Sequence, residues 1–170
     1  MEAVDALLAF SQRTGIHAFM HSTWGWPVVE SLHFVGLSLL IGTVGVFDLR
    51  MLGMAKGIPM GALHKLVPWG VAGYALNVLT GFMFLSSVPD QYLYNPAFQT
   101  KLGLMGVAGL NVLFFYRFVF VPVRAADADA KAPNAARVAA GVSLACWVGV
   151  IICGRLITYF RPPYHWCFWC

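Results

Sequence analysis

Charge is what this sequence has least of. Asp, Glu, Lys and Arg make up 11% of its 170 residues, against about 25% in a soluble domain, which excludes the ordinary soluble globular class. The chain also lacks a phosphate-cradling loop, a nucleophilic triad and a paired-carboxylate site, so a hydrolase or kinase is not expected. The N-terminus has Glu2 and Asp5 where a secretory signal carries Lys or Arg, and no cleavable leader is expected. A net charge of +4 does not argue for a nucleic-acid partner, because the basic residues stand at the ends of apolar runs, where they mark topology.

What the chain does have is apolar length. Apolar residues are 59% of the total, and four stretches, at about 27–49, 62–86, 97–121 and 137–160, each reach the roughly 20 residues that cross a hydrocarbon core. In lipid every backbone amide has to be satisfied within its own segment, so these stretches are expected to be helices; the short alternating segments of a transmembrane barrel are absent. The connections are short, and the one between the second and third spans reads as a turn through Pro89-Asp90 and Asn95-Pro96. The expectation is an all-α membrane protein, an antiparallel up-down-up-down four-helix bundle over residues 23–161. Residues 1–22, where Val4, Leu7, Leu8 and Phe10 recur among polar residues, predict a short interfacial helix that Gly15 ends or bends. Residues 162–170 form a tail rich in aromatics and cysteine.

Seven of the eleven basic residues (Arg50, Lys56, Lys65, Arg117, Arg124, Lys131 and Arg137) lie at the first and third connections. The positive-inside rule then puts those connections in the cytoplasm and both termini outside, in a bacterial inner membrane. The aromatics Trp24, Trp26, Tyr92, Tyr94, Tyr159, Tyr164, Trp166 and Trp169 collect on the outer side, as an interfacial belt does.

Ionisable groups within spans are expensive and usually face the bundle interior. His33 stands about 9 Å into the first helix, counted at the helical rise from Pro27, with Glu30 at i−3 on the same face. Lys101 enters on the third helix and Arg155 leaves on the fourth, so Glu30, His33, Lys101 and Arg155 are expected at one level near the outer surface. One reading makes this an ion-pair network around a hydrogen-bonded core histidine. The other makes His33 an axial ligand of haem b, with Lys101 and Arg155 on the propionates. A second ligand is then sought in His17 or His21, spaced i, i+4, or in His165. His64 sits at the opposite end and reads as an interfacial histidine. Asn77 and Asn111, near the midplane of the second and third spans, read as hydrogen-bonding across their interface, and Gly103, Gly106 and Gly109 as a close-approach surface for a neighbouring helix or a flat cofactor. Asp48 and Arg50 read as an ion pair closing the inner end of the first helix.

The four cysteines divide into two pairs. Cys146 and Cys153 share a face of the fourth span and read as small buried hydrophobes. Cys167 and Cys170 form a terminal C-x-x-C after His165, read as a disulfide or, with His165, as a copper or zinc site. The histidine precedes the cysteines, so covalent haem attachment is not supported.

The run Glu30-Ser31-Leu32-His33-Phe34-Val35-Gly36-Leu37, continuing to Phe47-Asp48-Leu49-Arg50, resembles an uncharacterised family of bacterial four-helix inner-membrane proteins. Pro68-Trp69, Thr80-Gly81, Asn95-Pro96-Ala97-Phe98 with Lys101, Asn111 and Gly154-Arg155-Leu156-Ile157 belong to the same resemblance. It implies the fold and the membrane location and no activity; its architecture is loosely similar to membrane b-type cytochromes. His17, His21 and the cysteine tail lie outside the shared pattern.

The resulting expectation is a membrane subunit that binds haem b near the outer surface and relays electrons between a periplasmic or membrane redox partner and quinone, rather than a stand-alone enzyme. The alternatives are a non-catalytic structural or assembly subunit, and copper handling by the His165, Cys167 and Cys170 tail.

Overall fold

A computed structural model describes residues 2–54, 57–120, 123 and 132–160. The described chain is helical, with no strand among the described residues. Helix α1 (Glu2–Arg13) and the short α2 (Ile16–Met20) precede α3 (Gly25–Met51), the first span; α4 (Met60–His64) and α5 (Val67–Ser87) together form the second. A single turn, α6 (Pro89–Leu93), leads into α7 (Pro96–Phe114), which continues through a π-helical turn (Phe115–Val119) as the third span. Helix α8 (Asn134–Leu156) and a 3-10 turn (Ile157–Tyr159) make the fourth. Four segments are therefore long and apolar enough to cross a bilayer, and the chain is a multi-pass membrane protein.

Local chemistry explains where the helices bend and stop. Gly15 separates α1 from α2 with φ of +76°, a left-handed conformation that costs glycine little. The second span, expected to be continuous, is interrupted at Lys65-Leu66. Pro68 lies in the first turn of α5; its ring lacks an N–H and would clash with the carbonyl four residues back, so α4 cannot run straight on. The connection expected to be a turn at Val88–Pro96 contains α6, with Pro89 starting it.

Asn95 does two jobs at the start of α7. Its Oδ1 accepts from the Ala97 and Phe98 amides at 3.0 and 3.4 Å, capping the helix. Its Nδ2 donates to the Ile157 and Phe160 carbonyls at 3.0 and 3.2 Å, satisfying acceptors at the end of the fourth span. The residue is buried.

The contacts pair residues in opposite order along neighbouring spans. On the first and second, His33 meets Thr80, Gly36 meets Asn77, and Thr43 meets Gly70. On the third and fourth, Lys101 lies by Gly154, Leu104 by Gly149, and Asn111 by Ala139. Glycine permits the first of these crossings: a Cβ on Gly73 would stand 2.6 Å from the Gly36 carbonyl oxygen and 2.8 Å from the Leu40 amide. Without a hydrophobic drive between helices in lipid, such close backbone approach supplies the packing energy.

The first span also packs on the fourth, whereas the second and third barely touch. The spatial order is thus two, one, four, three. The first and fourth spans are therefore the inner pair, and the fourth is the most buried of the four, the others presenting most of their surface outward. This order corrects the expectation for the two asparagines. Asn111 reaches the fourth span, donating to the Ala139 carbonyl at 2.9 Å. Asn77 faces the first span at Gly36 and donates within its own helix to Gly73. At Gly103, Gly106 and Gly109 nothing among the described residues lies within 4 Å of an added Cβ.

Candidate functional site

One end of the bundle is built around His33. Its Nδ1 lies 2.7 Å from Thr80 Oγ1. Thr80 is buried, and its hydroxyl also lies 2.7 Å from the Leu76 carbonyl oxygen one turn back in its own helix. A hydroxyl has one proton, and a carbonyl can only accept. The Thr80 proton therefore goes to Leu76, and the Thr80 oxygen accepts from His33 Nδ1–H. This assignment leaves the lone pair of the neutral imidazole on Nε2, which has no hydrogen-bond partner among the described residues. The Phe84 ring stands edge-on to the imidazole at 5.7 Å. Gly81 adds no side chain over it: a Cβ there would be 3.9 Å from His33 Cε1.

Lys101 joins this site from the third span. It is close enough to His33 for its charge to act on the ring, and it lies within electrostatic reach of Cys153. A Cβ on Gly154 would stand 3.9 Å from Lys101 Nζ. First, third and fourth spans thus converge at this end, as counting residues along each helix implies. Glu30 and Arg155 are both exposed, and Glu30 is in no ion pair among the described residues. The ion-pair network in which Glu30 bridges to Lys101 or Arg155 is therefore not what holds this end together.

Helices α1 and α2 pack on the same end of the second span, with Phe10 edge-on to Phe82 at 5.8 Å. His17 and His21 lie on this side with their rings stacked at 4.0 Å, and His21 Nδ1 is 2.9 Å from the His17 carbonyl oxygen. Neither ring meets His33. His64 lies at the opposite end against Phe120 and Tyr116. Cys146 and Cys153 are buried free thiols. His165, Cys167 and Cys170 lie outside the described residues, as do Tyr164, Trp166 and Trp169, and Lys56, Arg124, Lys131 and Arg161.

A family model matches residues 11–160. The chain belongs to DUF6644, a family of unknown function. The match takes in all four spans of this DUF6644 protein, with His17, His21, His33, Thr80 and Lys101, and stops before the cysteine tail. No curated protein matches the chain, and no solved structure does.

Two features of this DUF6644 chain escape sequence reading. Thr80 is 47 residues from His33; the resemblance includes it as Thr80-Gly81, but only its depth, level with His33 on the neighbouring span, could have paired the two. Asp48 reads in the sequence as the partner of Arg50. In the fold it is buried and faces Ser143 of the fourth span, while Arg50 Nε donates to the Ile58 carbonyl at 2.9 Å.

Among the described residues no three His, Cys, Asp or Glu side chains gather into a group able to hold a metal ion. A bare ion needs about four protein donors. A porphyrin supplies four nitrogens itself and asks the protein for only one or two axial donors, such as an imidazole. A single oriented histidine beside a cation suits the second requirement.

Proposed function

We propose that this end of the bundle holds a b-type haem with His33 Nε2 as an axial ligand. The carrying observation is the hydrogen bond to Thr80, which fixes the imidazole tautomer and presents the Nε2 lone pair. Metal-binding histidines ordinarily donate their other ring N–H to such a partner, which sets ring orientation and raises ligand basicity. The iron of such a group supplies a reversible one-electron couple. Lys101 neutralises a propionate, with the exposed Arg155 able to reach the other from the water side. His17, His21 or His165 provides a second ligand, and Glu30 lines the rim. On this reading the protein is an electron-transfer subunit of the bacterial inner membrane, passing electrons between a redox partner on the outer side and quinone in the bilayer.

The test is the absorption spectrum of the purified protein, oxidised and dithionite-reduced, from a haem-replete host. The expected result is a reduced spectrum with the split visible bands of six-coordinate haem b. A folded protein with no haem absorption overturns the proposal. The reading as a structural subunit would then stand, favoured by Gly103 and Gly106, where an added Cβ would meet nothing among the described residues.

The orientation belongs to the same proposal, with both termini outside on the strength of the basic residues at the first and third connections. Alkaline phosphatase fused to the C-terminus is expected to be active. An inactive fusion, together with a fluorescent cytoplasmic reporter at the same position, contradicts it.

A further inference from the structure

Charge is unevenly shared along this chain. The termini and the second connection, with the helix ends beside them, hold four basic residues and four acidic ones. The first and third connections, with their helix ends, hold seven basic residues against Asp48, Asp127 and Asp129. The whole net charge of +4 therefore belongs to the end opposite His33. Asp48 is buried in the bundle, so it does not neutralise that end's surface.

The second and third spans meet at this end. Leu63 of α4 shares a core cluster with Phe115 and Val119, and the His64 ring lies 4.9 Å from Phe120 and 6.4 Å from Tyr116. Lys65 and Arg117 follow His64 and Tyr116 directly, so one cation stands on each side of this seam, and both are exposed. Neither makes a hydrogen bond or an ion pair among the described residues. Arg50 differs, being buried and bonded to the Ile58 carbonyl. The Arg117 guanidinium lies over the Phe118 ring at 5.3 Å, a contact that restrains it and leaves its N–H donors open. Trp69, one turn on from Lys65, and Tyr116 are exposed aromatics. Such residues sit at head-group level, which puts the two cations where lipid phosphates lie. Leu66 and Phe118, next to the cations in sequence, are exposed as well. That surround suits the acyl chains beneath a phosphate and not a water-soluble anion.

We propose that Lys65 and Arg117 form a site for the phosphate of an anionic phospholipid, of the phosphatidylglycerol kind, at the seam between the second and third spans. Arg117 offers a planar fork that grips two phosphate oxygens at once, and Lys65 a point charge. Basic residues between membrane helices select acidic head groups in this way. A zwitterionic lipid brings a cation of its own, which the two side chains repel. The site does not depend on the haem reading, and its charge holds whichever side of the membrane this end faces.

The test is native mass spectrometry of the purified full chain in detergent, offered phosphatidylglycerol and phosphatidylcholine with identical acyl chains. The wild type is expected to retain one phosphatidylglycerol per chain, preferred over phosphatidylcholine by about twenty-fivefold, roughly fivefold for each cation. Lys65→Gln and Arg117→Gln should each lower the preference by about fivefold, and the double variant should lose it. Arg13→Gln, which removes an exposed cation at the other end, should leave it unchanged. Equal retention of the two lipids by the wild type overturns the proposal. So does a preference that survives both single variants, or one that Arg13→Gln lowers as much as they do. The two single variants decide the matter if the double variant does not fold.

Discussion

Replacing His33 with Ala is expected to remove haem absorption entirely while leaving a folded, monodisperse helical protein. The first span keeps its packing in this variant, because the close contacts at Gly36, Gly70 and Gly73 lie one to three turns deeper and do not involve the imidazole. The loss is expected to be complete, because His33 alone of the described histidines at this end is held by a hydrogen bond to another span. His64→Ala is the matching control, because His64 packs on Phe120 and Tyr116 at the opposite end. Thr80→Val separates ligand from orientation. It keeps the side-chain shape and removes the acceptor of the Nδ1–H, leaving that donor buried without a partner. Losing such a partner typically costs about 10–100-fold in metal affinity, so haem occupancy should fall in Thr80→Val and vanish in His33→Ala. Absorbance normalised to protein concentration measures both. Full occupancy in His33→Ala would contradict the assignment.

The second large effect is expected at Lys101. A half-buried cation beside a redox group favours the reduced state, which carries one charge less. Lys101→Met should therefore lower the midpoint potential, by on the order of 60 mV if the lost interaction is worth about 1.4 kcal/mol. Lys101→Arg should restore most of it. Arg155 is exposed, and water screens its charge, so Arg155→Ala should move the potential much less. Potentiometric titration followed by absorbance reads all three. Equal shifts for Lys101→Met and Arg155→Ala would mean that burial does not distinguish the two cations.

The four spans were legible because lipid imposes a minimum apolar length, and long apolar runs can be counted. The level of His33 and Lys101 was legible too, since rise per residue turns sequence distance from a span's end into depth. The order of the spans around the bundle was not. In lipid all faces of a helix are apolar, so periodicity no longer tells which face meets a neighbour, and Asn77 and Asn111 gave no sign that they address the first and fourth spans. The partners of Thr80 and Asp48 were missed for a related reason. Each has its decisive partner on another helix, and such contacts depend on neighbour order rather than local spacing. Pro68 shows the opposite case, a break that backbone chemistry dictates and that the long apolar run concealed.

The central claim is a bond between His33 Nε2 and iron, and the most direct measurement is hyperfine spectroscopy on oxidised protein in which only histidine carries heavy nitrogen. The account predicts iron coupling to histidine nitrogen in the wild type and in His64→Ala, and none from residue 33 once His33 is replaced by Ala. Wild-type protein that binds haem but shows no histidine coupling, or coupling that survives unchanged in His33→Ala, would contradict it.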